Sequence, residues 1–95
     1  MIFLRKEVST LIEFKTVKKG TSDTCVAVLQ ACFRAMQYTG ADGKPIEITG
    51  VCNNNTVYAI NTFQTVQRAY GVECGTKGKN DSTFGPSFWK RLLGV

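Results

Sequence analysis

Histidine is absent from this sequence of 95 residues, and with it the side chain most used for proton transfer near neutral pH and for zinc ligation. The four cysteines, Cys25, Cys32, Cys52 and Cys74, include no C-x-x-C pair, so a zinc site is disfavoured. There is no Gly-x-Ser-x-Gly elbow and no phosphate-binding P-loop. Acidic residues such as Asp42 and Glu47 lie among loop signals, where solvated charge is a better account than a catalytic pair. The expectation is a chain that is not an enzyme and holds neither metal nor cofactor. A long apolar run is missing too. Met1-Ile2-Phe3-Leu4 is cut by Arg5-Lys6-Glu7, far short of a signal-peptide core or a membrane span. Synthesis in the cytoplasm without a signal peptide, and no membrane insertion, are therefore expected.

The length suits one domain with a modest core. Twelve Lys and Arg against seven Asp and Glu leave a formal charge of +5, which favours polyanionic partners without ranking them. Cys25 and Cys32 would sit two helical turns apart, roughly 10 Å, beyond disulfide reach. Four free and mostly buried thiols are expected, with a Cys52–Cys74 bridge left open.

Residues 1–16 read as an arm or linker remnant. Val8, Leu11 and Ile12 are compatible with a short helix, whereas Ile12 to Val17 alternates like a strand. After the break at Lys18-Lys19-Gly20, Ser22 or Asp23 can cap a first helix running to about Tyr38. Its apolar stripe would hold Cys25, Leu29, Cys32, Phe33 and Met36, with Val26 at the edge. Core packing accounts for those two cysteines better than reactivity does. A loop spans Gly40 to Pro45. A second helix should begin among Asn53, Asn54 and Asn55 and end with Gly71 as its C′ residue. Its buried face would comprise Thr56, Ala59, Ile60, Phe63, Val66, Gln67 and Tyr70, with Tyr58 pointing away. Val72 to Asn80 reads as an exposed loop. Gly85-Pro86 opens a third helix, with proline at N1 where its missing N–H costs nothing, and Phe88, Trp89 and Leu92 would face inward. The expected fold is all-α: a small three-helix bundle.

A phrase occurs twice in this layout. Thr49-Gly50-Val51-Cys52-Asn53 and Asp81-Ser82-Thr83-Phe84-Gly85 are both short turns feeding an apolar helix. Asn53 aligns with Gly85, and as both residue types visit positive φ readily they could share one backbone role.

These motifs, taken in order, resemble the peptidoglycan-binding domain family, a non-catalytic module of bacterial and phage cell-wall hydrolases. The matching residues are Lys19-Gly20, Leu29-Gln30, the Thr49 to Asn53 turn, Thr56 with Ala59-Ile60 and Phe63-Gln64, and then Asp81 with Gly85-Pro86, Trp89 and Leu92-Leu93-Gly94. The likeness covers residues 17–95, the domain proper. Thr49 stands for the family's Asp, and Asn53, Gln37 and Ser82 stand for Gly, while Phe88 replaces Thr. Two loops, around 40–47 and 72–80, are longer than the family pattern and look most like the C-terminal wall-binding segment of endolysins from phages of Gram-positive hosts.

The resemblance implies a three-helix bundle of two turn-helix pseudo-repeats that holds a linked or associated hydrolase domain on peptidoglycan. The bound part would be glycan or stem peptide, with anionic wall polymers as a further partner, and the site of action the bacterial cell wall. The start of the second helix suits a carboxylate. Asn53, Asn54 and Asn55 offer amides there, while capping and turn-filling explain them about as well. Tyr58 and Tyr38, the aromatics least committed to the core, could stack on a sugar or flank a peptide. Gln64 occupies a recurring family position, although helix packing explains it comparably. Lys18-Lys19, Lys77, Lys79 and Lys90-Arg91 would add a weak basic surface, a solvated face being the default. No hydrolase domain is read within these 95 residues, so the expected partner is either linked to the module or assembles with it through residues 1–14, a segment that could also form a homo-oligomer. The alternative is a small basic helical domain for DNA binding or for protein interaction and oligomerisation. Nucleic acid is disfavoured, because the exposed side of the second helix carries Tyr58, Asn61, Thr62 and Thr65 with only Arg68 charged.

Overall fold

The computed structural model describes residues 12–94, and these form three helices without a strand: α1 (Thr24–Ala35), α2 (Asn54–Ala69) and α3 (Pro86–Leu93). The all-α expectation holds. Each helix begins where the sequence supplies a cap. Asp23 accepts from the Cys25 N–H, Asn53 accepts from Thr56, and Gly85 precedes Pro86 at the first turn of α3. Both long helices end alike, with the C′ residue in the left-handed region and two backbone bonds reaching back. For α2 that residue is Gly71 at φ 85°, as expected, with Val72 N–H bonding to Gln67 O. For α1 it is Gln37 at φ 64°, with Tyr38 N–H bonding to Phe33 O. This closes α1 three residues before the expected Tyr38.

The core joins the three helices through aromatic rings. Phe84 lies at its centre, edge-on to Phe33, Phe63 and Trp89, and tilted against Phe88, at centroid distances of 5.0 to 5.9 Å. Leu29, Ile46, Cys52, Ala59 and Ile60 fill the space around them. The stripe of α1 is rotated from its expected position. Val26 and Gln30 are fully buried, Cys32 is half-buried and Met36 is exposed, because Gln30 has partners inside. On α2, Val66 is only partly covered and Tyr70, expected to be buried, is 78 % exposed. It caps the helix rather than continuing its face.

Residues ahead of α1 tie the two turns together. Val17 exchanges both backbone bonds with Phe84, while Gly20 and Thr21 bond to Cys52. Cys52 and Phe84, aligned in the doubled phrase, thus occupy equivalent positions. Trp89 Nε1 donates to Lys15 O at 2.8 Å, Phe14 packs on the Trp89 ring, and Lys15 pairs with Asp23 at 2.9 Å. Packed structure therefore reaches upstream of residue 17 to Phe14. Residues 1–11, which make up most of the segment considered for oligomerisation, lie outside the described residues. No helix among the described residues is long and apolar enough to cross a membrane.

Candidate functional site

Both copies of the turn are held by a glutamine from the preceding helix. Gln30 Oε1 accepts from the N–H groups of Thr49 and Gly50, at 2.8 and 2.9 Å, while its Nε2 donates to Val51 O and Thr56 Oγ1. Gln64 repeats the pattern one unit later. Its Oε1 accepts from Asp81 N–H, and its Nε2 donates to Thr83 O at 2.8 Å and Asp81 Oδ1 at 2.7 Å. In both turns a side-chain oxygen, Thr49 Oγ1 or Asp81 Oδ1, accepts from the N–H two residues on. The left-handed residue of each turn is Gly50 at φ 80° or Ser82 at φ 63°. Asn53 and Gly85 are equivalent for another reason than the one expected: both are extended helix caps, at φ −92° and −97°.

These bonds sort the candidate residues. Gln64 is fully buried with its carboxamide shared between Asp81 and Thr83. A ligand has no access to it, and in this chain its carboxamide holds the second turn. Asn53 is committed as a cap, its Oδ1 accepting from Thr56 N–H and Thr56 Oγ1. Asn55 binds the 40–45 loop, accepting from Ala41 N–H and donating to Asp42 Oδ2. Asn55 also lies so close to Gly40 that a Cβ there would meet it at 2.4 Å. Asn54 is exposed, and among the described residues its amide has no hydrogen-bond partner. Tyr58 stands one turn further along α2 and is 48 % exposed. Residues four apart share a helix face, so Asn54 and Tyr58 form the open part of the predicted site. Tyr38 is half-buried and stacks on Phe33 at 5.4 Å. Burial, and secondarily the Tyr70 hydroxyl, raise its phenol above the ordinary value.

All four cysteines are free thiols. Burial pushes Cys52 up to about 11, which leaves it protonated and a poor nucleophile at neutral pH. Among the described residues no cluster of three or more His, Cys, Asp or Glu could hold a metal ion.

Hollows open on the surface of the described residues, and two of them are lined by none of the three asparagines. One, of about 430 Å³, lies between the start of α1 and the first turn, lined by Asp23, Thr24, Ala27, Ile48 and Gly50. The larger, about 720 Å³, lies between the C-terminal end of α2 at Arg68 and the 71–78 loop. Site reasoning from sequence passed over this second hollow. Its only signal there was the length and Gly-Lys content of the loop, which says nothing of a concave shape. No protein-family model matches the chain, and no curated protein or solved structure matches it either.

Proposed function

We propose that this chain is a non-catalytic peptidoglycan-binding module that holds a linked or associated cell-wall hydrolase, such as a phage endolysin, on its substrate. The observation that carries the reading is the paired glutamine lock. Leu29-Gln30 and Phe63-Gln64, two dipeptides of the family-like pattern, do the same work on two turns. The pattern's Asp81 and Gly85-Pro86 form the second turn and the start of α3, and its Trp89 anchors α3 to the core. The ordered motif is thereby accounted for as one framework rather than as a scatter of common residues.

On this framework Asn54 and Tyr58 meet the ligand, with Asn55 and Tyr38 at the border and Asn53 and Gln64 shaping the support. The module acts by tethering. Holding a hydrolase near the wall raises its effective concentration without adding chemistry. The test is co-sedimentation with purified Gram-positive sacculi, run beside a DNA mobility-shift titration at two salt concentrations. The chain is expected to pellet with sacculi, and Asn54→Ala with Tyr58→Ala to lower the bound fraction. Because only part of its attraction is long-range charge, retention should survive physiological salt, whereas binding through phosphate contacts would weaken steeply. Tight DNA binding with no sedimentation on any sacculus sinks the proposal.

A further inference from the structure

The loop after α2 is more constructed than a connection requires. Thr76 and Lys79 exchange both backbone bonds, at 2.9 and 3.0 Å, around Lys77 at φ 53° and Gly78 at φ 74°. Two successive positive φ values make this a tight hairpin tip of the I′ type. The hairpin folds back on its own root at Gly75, where an added Cβ would lie 2.0 Å from Lys79 O. Its base is fastened to the glutamine lock: Thr76 Oγ1 donates to Asp81 Oδ2 and Cys74 Sγ donates to Gln64 O. Across the hollow, the Arg68 guanidinium is oriented by Asn80 Oδ1 and approaches Cys74 Sγ at 3.9 Å. The cleft between these walls has the volume usual for small-ligand sites and is lined by Arg68, Glu73 and Lys77. Backbone N–H groups of Glu73, Cys74, Gly75, Lys77 and Gly78 find no acceptor among the described residues.

We propose that this cleft binds a peptide end bearing both a carboxylate and an amino group, Arg68 and Lys77 taking the carboxylate and Glu73 the ammonium. Two cations, one anion and unpaired N–H donors suit such a mixed ligand. A phosphate polymer, in contrast, would be repelled by Glu73. Resting on the wall-binding reading, the inference identifies the bound part as the stem peptide, whose carboxylates and diamino acid supply both charges. Arg68 stands about 15 Å along α2 from Tyr58, so the cleft is a second contact rather than a restatement of the first.

The experiment is an NMR titration of the isotope-labelled chain with synthetic L-alanyl-γ-D-glutamyl-L-lysyl-D-alanine, with the same peptide amidated at its carboxylates, and with oligomeric glycerol phosphate. The free peptide should move the amide signals of Cys74, Gly75, Lys77 and Gly78, and the amidated peptide should not. Affinity should fall about fivefold in Lys77→Asn and in Arg68→Gln, one charge-assisted contact being lost in each. Asn tolerates positive φ, so Lys77→Asn keeps the hairpin and carries the test even if Arg68→Gln fails to fold. Shifts confined to other surfaces, unchanged affinity in Lys77→Asn, or a cleft that answers only glycerol phosphate would overturn the proposal. Sacculus sedimentation separates it from the parent reading. A chain that pellets with a silent cleft loses the cleft alone, whereas one that ignores sacculi yet answers the peptide keeps the cleft and loses the wall.

Discussion

Gln30 and Gln64 are large polar side chains in a fully buried setting, tolerable only because every amide atom is used. Among the described residues no buried side-chain nitrogen or oxygen lacks a partner. Such a lock is asymmetric in energy: formed, it adds modestly, but with one partner deleted the remaining groups are left desolvated and unpaired. Gln64→Leu should therefore destabilise the chain by about 2–4 kcal/mol, since Asp81 N–H and Thr83 O both lose their partner, and urea denaturation would read the loss. Asp81 adds a pH dependence. Burial works to raise its carboxyl, but hydrogen bonds donated by Gln64, by Thr83 side chain and backbone, and by Thr76 outweigh it and hold the group below its ordinary range. A depressed native value contributes stability that is present above the unfolded carboxylate value, near 4. That contribution is lost as pH falls through the native one. The urea midpoint should accordingly drop between pH 6 and pH 3, and Asp81→Asn should flatten that drop. An equal drop in the variant would exclude Asp81 as its source.

At the scale of elements, α1 and α2 use one stop signal with different residues. Gly71 reaches φ 85° without a side chain to obstruct it, whereas Gln37 is held at φ 64°, where a Cβ meets the following carbonyl. Tertiary packing sustains this strain. Tyr38, the residue after Gln37, stacks on Phe33 three positions before the cap, the apolar clasp that accompanies this kind of helix end. Replacing Gln37 by Gly should raise stability by about 0.5–1 kcal/mol, the relief of left-handed strain less the added freedom of the unfolded chain. Thermal melting monitored by circular dichroism would show it. An unchanged or lowered midpoint would mean that the Gln37 side chain makes a compensating contact.

At the scale of the whole molecule, a hydrogen bond among the described residues joins Trp89 near their end to Lys15 near their beginning, 74 residues apart. α3 has only eight residues, too few to be helical alone, so its stability is borrowed from Phe84, Phe63 and the segment around Phe14. Trp89→Phe keeps an aromatic ring but removes the indole donor, leaving Lys15 O without its bond. A loss of about 1–2 kcal/mol is expected, with the Lys15–Asp23 pair loosened as the segment frees. Chemical denaturation supplies the first number and NMR shifts at Asp23 the second. A stable variant with an unmoved Asp23 would make the pairing incidental.

Local chemistry in the sequence decided the three helices, a first cap at Ser22 or Asp23 and a second among Asn53 to Asn55, the Gly85-Pro86 start of α3, the stop at Gly71 and the inward side of α3, because each depends on residues within a turn or two of one another; the structure selected Asp23 and Asn53. The doubled phrase was legible for the same reason. Reading its meaning required long-range contacts, since nothing local tells an amide that packs from one that binds. Gln64 stood as a ligand candidate until its bonds to Asp81 and Thr83 placed it inside, and Asn53 and Asn55 were separated from Asn54 only by what each one touched. Tertiary structure likewise turned Tyr70 outward and rotated the buried stripe of α1 toward Gln30. It alone made the cleft at Arg68, because a concave surface arises from the path of a loop relative to a helix end, and periodicity along a chain carries no record of that path.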